Sequence, residues 1–348
     1  MLPDMGPADR SLRWSLAGTD PQGSLLDEGV DPTRELREVE YLHVRARSII
    51  SEVPRASRMP FRYTINPYRG CSHACTYCFA RPTHEYLGLN GAEDFEQRIV
   101  VKVNAVERLA AELARPSWRG EHIAMGTNTD PYQQAEGRYR LTRGIIETLG
   151  EARNPFSILS KSTMVLRDLD VLTAAAERTE VHMNFSIGTL DEEVWRISEP
   201  GTPPPWRRVE ALARMSEAGL SCGVLVAPIL PGLSDGDGQL SAVVKACIDA
   251  GAVSISSIGL HLRPGVRQLF MPWLARERPD LVPRYERLYG ARNGYLAREE
   301  QQKLSARVRA LVDEHGGCAR SPLFARGIAP VAAAPPPAEE FTQLRLVG

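Results

Sequence analysis

The chain has 348 residues, of which 43% are hydrophobic and 24% charged, and its formal net charge is −1. This length suits one α/β barrel of about 200 to 250 residues with extensions, and the composition is that of a globular protein. The near-neutral charge excludes an overall attraction to nucleic acid or anionic membranes. A signal peptide and a run of about 18 apolar residues are both missing, which predicts a cytoplasmic protein without membrane contact.

Residues 1–57 are rich in Gly, Pro and charged residues, with no sustained periodicity before residues 41–53. This pattern predicts a mostly irregular leader. Apolar and polar residues then alternate from Phe61 to Ile65, which predicts a short strand that stops at Pro67. An α/β barrel places its chemistry at the carboxyl ends of its strands, so the loop after this strand is a candidate site.

That loop carries Cys71, Cys75 and Cys78, spaced by three and two residues. A free thiol has a pKa of about 8.5 and is mostly protonated at neutral pH, so this crowding favours a metal that holds the thiols deprotonated. A zinc site needs a fourth ligand, which His73 or His84 could supply, and this alternative stays open. An iron–sulfur cubane normally takes four thiolates, so three would leave one iron available to another ligand.

The motif Cys71-x3-Cys75-x2-Cys78, with Tyr77 before the last cysteine, resembles the signature of the radical S-adenosylmethionine (SAM) superfamily. The resemblance implies a [4Fe–4S] cluster on the three cysteines and SAM bound to the fourth iron. It also implies reductive cleavage of SAM to a 5′-deoxyadenosyl radical, which abstracts hydrogen from a substrate. An electron donor such as flavodoxin or ferredoxin would be needed. We place Tyr77 beside the SAM site.

Strands and helices alternate after this loop. Candidate strands cover residues 98–103, 122–125, 156–159, 181–187, 223–227 and 254–258. Candidate helices cover residues 105–115, 141–152, 166–178, 206–218, 238–250 and 299–315. Asn104 and Glu107 form a capping-box pattern before the first helix, and Gly219 suits the end of the fourth.

This alternation predicts a parallel sheet with right-handed crossovers. Six strand–helix steps, counted from the strand before the cysteines, are too few for a closed eight-stranded barrel, so we predict a partial (β/α)6 barrel. The radical SAM resemblance implies the same architecture. The predicted domains are a leader (1–57), a radical SAM core (58–265), a helical extension (266–320) and a flexible tail (321–348).

Polar residues at the strand ends are candidates for SAM contacts. In the turn from Gly126 to Gln133, the resemblance implies that Thr129 and Asp130 bind the SAM amino group, although an Asp-Pro turn that only starts a helix is the alternative. Lys161 follows the next strand. In the radical SAM group that resembles spore photoproduct lyase, a lysine on this strand contacts the SAM carboxylate, which suits a point charge. A solvated lysine is equally compatible with the sequence.

Two further strands carry SAM candidates by the same resemblance. Ser186 matches the residue that contacts the SAM ribose, and Ala227 matches the apolar residue beside the adenine. Both are also compatible with ordinary interior positions. His84 and Glu85 follow the cysteine loop and could form an acid–base pair, but a surface or structural role is favoured.

The other cysteines and the C-terminal segment have simpler interpretations. Cys222 and Cys247 lie in apolar patterns and are predicted to pack in the core. Arginines and aromatic residues interleave between residues 267 and 292, a composition that can bind single-stranded nucleic acid. They are Arg267, Trp273, Arg276, Arg278, Arg284, Tyr285, Arg287, Tyr289 and Arg292. Interspersed acidic residues favour a solvated helical face instead.

The resemblance extends from about Phe61 to Pro264 and is greatest to the spore-photoproduct-lyase-like, DNA-photolyase-like group. In spore photoproduct lyase a cysteine beside the SAM-binding turn returns the hydrogen atom, whereas this chain has Asn128 there. Our first hypothesis is therefore a radical SAM enzyme with an unidentified substrate. The alternatives are a DNA photolesion lyase, an iron–sulfur electron carrier or redox sensor, and a zinc-stabilised nucleic-acid-binding module. The polar residues Asp130, Lys161 and Ser186 favour the first.

Overall fold

The computed structural model describes residues 14–20, 39–54, 57, 59–290 and 294–318. Strands and helices alternate through most of these residues. The strands are β1 (Trp14–Asp20), β2 (Glu40–Ala46), β3 (Ile50–Glu52), β4 (Tyr63–Ile65), β5 (Tyr68–Arg69), β6 (Arg98–Lys102), β7 (Ile123–Met125), β8 (Phe156–Ser160), β9 (Val181–Ser186), β10 (Ser221–Ile229) and β11 (Ser254–Gly259).

The α-helices are α1 (Glu93–Gln97), α2 (Ala105–Leu113), α3 (Gln134–Tyr139), α4 (Leu141–Glu151), α5 (Leu169–Ala176), α6 (Glu192–Ser198), α7 (Pro205–Glu217), α8 (Asp237–Asp249), α9 (Arg267–Glu277), α10 (Val282–Tyr289) and α11 (Arg298–Glu314). The 3₁₀ helices are Arg81–Leu87, Thr163–Asp168 and Pro279–Leu281. No helix among the described residues has the length and apolar character needed to cross a bilayer.

The larger sheet has the strand order β11-β10-β9-β8-β7-β4-β3. Each neighbouring pair from β4 to β11 is parallel, whereas β3 runs antiparallel to β4. Strands β7, β8 and β9 are almost entirely buried, as expected for parallel strands covered on both faces. The prediction of an α/β fold with six parallel strands and an open barrel is confirmed.

A smaller sheet has the strand order β1-β2-β6-β5. The predicted strand at residues 98–103 forms β6, which pairs with β2 and β5 in this sheet. Strands β1, β2 and β3 lie in the described parts of residues 1–57, the segment predicted as a mostly irregular leader.

The side chain of Asn104 does not cap α2, which corrects the predicted capping box. Its Oδ1 accepts a hydrogen bond from the Ala46 amide at 2.8 Å, and its Nδ2 donates to the Ala46 carbonyl at 3.0 Å. The helix still begins at the predicted place. Asn104 therefore joins the end of β2 to the start of α2.

The main core lies between the larger sheet and its helices, and it includes Cys222 and Cys247. Both cysteines are fully buried, which confirms their predicted packing role. Gly219 follows α7 with φ of +83°, and its amide donates to the Ser216 carbonyl, as predicted for a helix end.

Helices α9 and α10 pack against the cysteine loop. Trp273, Tyr285 and Tyr289 are buried in a second apolar cluster that also contains Cys75 and Tyr77. These rings are therefore not exposed for base stacking. Several of the arginines pair with carboxylates, including Arg278 with Asp280 and Arg284 with Asp235. Arg292 and the predicted flexible tail lie outside the described residues.

Candidate cofactor site

The three cysteines lie in a loop that starts at Gly70, directly after β5 and a few residues after the end of β4, the first parallel strand. Gly70 has φ of +81°, and an added Cβ would lie 2.9 Å from both the His84 ring and the Phe95 carbonyl. Glycine fits this turn because other residues would be strained and would collide there. The Cys71 amide then donates to the Phe95 carbonyl at 2.8 Å, which fixes the start of the loop.

Arg81 holds the loop from the inside. Its guanidinium is buried and donates to the Cys75 carbonyl at 2.9 and 3.1 Å and to the Ala74 carbonyl at 3.2 Å. Glu96 balances its charge at 2.5 Å. Because the planar guanidinium presents several donors at fixed angles, this one side chain donates to both carbonyls at once.

The chemistry of the three thiols suits a metal cofactor. All are free of disulfides; Cys71 and Cys75 are buried and Cys78 is half-buried. Burial is the main cause that raises the pKa of Cys75 to about 12, and the negative charge of the nearby Glu199 is the second. Burial also raises the pKa of Cys71 and of Cys78. A cationic metal centre would reverse this balance and hold the thiols as thiolates.

The donor set fits a [4Fe–4S] cluster, in which each thiolate binds a different iron. Among the described residues, no group of three or more Cys, His, Asp or Glu side chains is placed around a single ion position. The two histidines considered for zinc have other partners. His73 Nδ1 lies 3.3 Å from Asp130 Oδ2, and His84 Nε2 donates to the Arg98 carbonyl at 3.0 Å.

His84 has a structural position. It is fully buried and packs edge-on against Phe95, and burial lowers its pKa. Glu85, by contrast, is exposed. The two neighbours thus face different environments, in line with the structural role favoured from the sequence.

Thr129 supports the cysteine loop. Its hydroxyl donates to the Gly70 carbonyl at 2.6 Å. Gln133, which the sequence analysis did not select, donates to the same carbonyl at 3.0 Å and accepts from the Ser72 amide at 3.0 Å. It also contacts the Thr129 hydroxyl at 2.7 Å. Both ends of the Gln133 amide are therefore used to join the turn after β7 to the loop.

Asp130 is similarly occupied within the protein. Its carboxylate accepts hydrogen bonds from the Ser160 hydroxyl at 2.7 Å and from the backbone amides of Lys161 and Tyr132 at 2.8 and 2.9 Å. Burial alone would raise its pKa, but His73 and these hydrogen bonds outweigh burial and lower it. Asp130 thus joins the turn after β7 to the end of β8 and, through His73, to the cysteine loop.

The structure brings Lys161, Ser186 and Ala227 together at the ends of three adjacent strands. Lys161 Nζ donates to Ser186 Oγ at 2.6 Å and to the Ala227 carbonyl at 3.3 Å. Ser186 Oγ in turn donates to the same carbonyl at 2.9 Å. The Lys161 ammonium also lies 5.6 Å from the centre of the Tyr77 ring. Four predicted SAM contacts thus converge beside the last cysteine.

At the centre of this group is Glu199, a buried carboxylate that the sequence analysis missed. It accepts a hydrogen bond from the Tyr77 hydroxyl, pairs with the fully buried Arg208, and lies 3.3 Å from Lys161 Nζ. Burial alone would raise its pKa, but Arg208, Lys161 and Tyr77 together lower it to about 2. Glu199 is therefore ionised and forms a buried network with two cations.

The segment around Glu199 also touches the loop backbone. The Thr76 amide donates to the Ser198 carbonyl at 3.0 Å, and the Gly201 amide donates to the His73 carbonyl at 2.9 Å. An added Cβ at Gly201 would lie 2.6 Å from His73 Cα. The residues between α6 and α7 thus pack directly on the cysteine loop.

Comparison with known proteins identifies this arrangement. The Radical SAM superfamily profile matches residues 65–241, which is half of the chain and includes the cysteine loop and strands β7 to β10. The chain belongs to the radical SAM superfamily. Membership implies an enzyme, and the family typically uses a [4Fe–4S] cluster with SAM.

Several relatives of this radical SAM protein are similar over much of their length. An uncharacterised protein of Mycobacterium tuberculosis strain H37Rv is 43% identical over 316 residues, which cover 87% of this chain and 93% of that protein. An uncharacterised protein of Acidianus two-tailed virus is 31% identical over 208 residues, covering 58% and 68%. One of Methanocaldococcus jannaschii is 29% identical over 199 residues, covering 57% and 70%.

Among solved structures, spore photoproduct lyase complexed with dinucleoside spore photoproduct superposes with a TM-score of 0.60. The match covers 79% of each chain at 18% sequence identity. At this identity the similarity establishes a shared radical SAM fold.

Proposed function

We propose that this protein is a radical SAM enzyme in which Cys71, Cys75 and Cys78 hold a [4Fe–4S] cluster. When bound and reduced, the cluster supplies the electron that cleaves SAM to a 5′-deoxyadenosyl radical, which abstracts hydrogen from an unidentified substrate. The observation that carries the proposal is the convergence of Tyr77 and Lys161 beside the thiol loop. An electron carrier or a zinc-stabilised module would not need such a buried polar group next to its metal.

Each nearby residue has a role in this proposal. Lys161 is a point charge suited to the SAM carboxylate. Ser186 orients Lys161 and presents a hydroxyl toward the ribose side, and Ala227 leaves space for the adenine. Thr129 and Asp130 hold the turn that faces the SAM amino group, although their side chains also support the protein itself. A reducing protein such as flavodoxin or ferredoxin would supply the electron.

Repair of a DNA photolesion is the second candidate, because the fold resembles a lyase solved with a dinucleoside photoproduct. This reaction would need a hydrogen donor other than a cysteine beside the SAM-binding turn, since Asn128 occupies that position and is exposed. Release of thymidine products from a dinucleoside photoproduct would support this candidate. SAM cleavage without product release from that lesion would favour the broader proposal.

The test uses the full chain reconstituted with iron and sulfide without oxygen. We expect about four irons per chain, the content of one cubane. Addition of dithionite and SAM should release 5′-deoxyadenosine and methionine in equal amounts, measured by liquid chromatography with mass detection. Iron-loaded protein that leaves SAM intact would contradict the proposal, and bound zinc in place of iron would contradict the cofactor assignment.

A further inference from the structure

The buried carboxylate Glu199 has more partners than a simple ion pair requires. One side of the carboxylate meets Arg208, and the other meets both the Tyr77 hydroxyl and Lys161 Nζ. These partners come from the cysteine loop, from the end of β8 and from α7. Glu199 therefore joins the segment that carries the cysteines to the lysine at the end of β8.

Arg208 fixes the carboxylate in place. It is 1% exposed, and its guanidinium also donates to the Ser186 carbonyl at 3.1 Å and to the Pro203 carbonyl at 3.1 Å. Because the guanidinium donors have fixed directions, these contacts tie Glu199 to the end of β9. Because the Glu199 carboxylate is held in place, it can orient Lys161 and Tyr77.

The charges in this group do not cancel. Glu199 is negative and Arg208 and Lys161 are positive, so the three side chains carry one net positive charge in a buried position. Arg208 and Tyr77 already serve Glu199 as donors, so Lys161 can be shared with a ligand carboxylate without leaving Glu199 unpaired. An excess positive charge suits a ligand that presents a carboxylate.

We propose that Glu199 is a positioning residue that aligns Lys161 and the Tyr77 ring for the carboxylate of SAM beside the cluster. This inference rests on the proposed function, because it assumes that SAM binds at Lys161. Without Glu199, the charges of Arg208 and Lys161 would repel each other, and Lys161 would move away from Tyr77. The carboxylate also adds negative charge near the cysteine loop, which disfavours reduction of a bound cluster.

The test compares reconstituted wild-type protein with a Glu199→Gln variant, which keeps the shape and removes the charge. Glu193→Gln is the matched control, because Glu193 is an exposed carboxylate in α6. The measurements are iron per chain, SAM affinity by equilibrium dialysis, and the cluster reduction potential by EPR-monitored titration. None of these depends on turnover of an unknown substrate.

We expect Glu199→Gln to load iron like the wild type but to bind SAM about tenfold more weakly, as for the loss of one hydrogen bond to a charged group. Its reduction potential should shift to a more positive value, and Glu193→Gln should change neither quantity. An iron-loaded Glu199→Gln variant with wild-type affinity and potential would overturn the inference.

Loss of one member of a buried ion pair can also prevent folding. If Glu199→Gln does not load iron, the double variant Glu199→Gln/Arg208→Gln removes both charges together. It should load iron and bind SAM about tenfold more weakly, whereas wild-type affinity in this variant would overturn the inference. Wild-type protein that loads iron but neither binds nor cleaves SAM would overturn the proposed function itself, and the inference with it.

Discussion

The Tyr77 hydroxyl donates a hydrogen bond to the Glu199 carboxylate, which lies 122 residues further along the chain. Tyr77 immediately precedes the last cysteine of the loop, and Glu199 lies between α6 and α7. The geometry of the cysteine loop therefore depends on a segment that is distant in sequence. Substitutions on either side of this contact should affect the same site.

Replacing Cys75 by alanine should abolish cluster loading, because two thiolates cannot hold a cubane that normally needs three or four. Iron and sulfide per chain after anaerobic reconstitution measure the effect. Cys318→Ala is the control, since Cys318 is exposed and lies outside the loop. Four irons retained in Cys75→Ala would show that the ligand assignment is wrong.

Replacing Gly201 by alanine should displace the cysteine loop, because the new Cβ would lie 2.6 Å from His73 Cα. We expect a loss of about 1–3 kcal/mol in the free energy of unfolding, as for other overpacked sites, and reduced iron loading.

Urea unfolding of the metal-free protein measures the loss in the free energy of unfolding caused by Gly201→Ala. Gly238→Ala is the matched control, since Gly238 lies in α8 with no atom within 4 Å of an added Cβ. The control should be neutral or slightly stabilising. Equal stability of the two variants would argue against close packing of the segment on the loop.

Replacing Gln133 by leucine should weaken the support of the loop. The change removes the hydrogen bonds to the Gly70 carbonyl and from the Ser72 amide, and it leaves buried groups unpaired. We expect the free energy of unfolding to fall by about 1–3 kcal/mol. The exposed neighbour Gln134, changed to leucine, provides the control. The thermal unfolding temperature and the iron retained per chain should both be lower in Gln133→Leu than in the wild type. Wild-type values in both assays would refute the supporting role of Gln133.

Acid should destabilise the protein partly through Glu199. Its pKa falls from 4.5 in the unfolded chain to about 2 in the fold, so its contribution is complete above pH 4.5 and is lost as the pH falls toward 2. This carboxylate alone should account for about 2 kcal/mol of the stability lost between about pH 5 and 3.

Urea unfolding of metal-free protein at several pH values tests the contribution of Glu199. The free energy of unfolding of Glu199→Gln should fall less steeply with acidification than that of the wild type, while Glu193→Gln should follow the wild type. If the free energy of unfolding fell equally with pH in all three proteins, the pKa of Glu199 would not be lowered by its partners in the fold.

The sequence predicted the parallel strands and located the cysteine loop because their signals are local. Apolar runs bounded by helices located the six strands, and the spacing of Cys71, Cys75 and Cys78 indicated the loop. The prediction failed where distant segments meet. Asn104 looked like a helix cap, but its side chain bonds Ala46 in a strand that the sequence did not reveal.

Glu199 was missed because it lies in a proline-rich connection that looks like an ordinary surface loop. A signal for its partner was present: Arg208 stands at the start of the apolar stripe formed by Ala211, Leu212 and Met215 on α7. A charged residue within a buried stripe needs a partner. The pattern could have indicated a buried ion pair, but not that Glu199 was its second member.

EPR of the reduced, iron-loaded protein, recorded with and without SAM, tests whether SAM binds the cluster that the three cysteines are proposed to hold. Binding of SAM to the iron left open by three cysteines should change the spectrum of the reduced cluster, and the change should be absent in the Cys75→Ala variant. A four-iron spectrum that is the same with and without SAM would contradict the account.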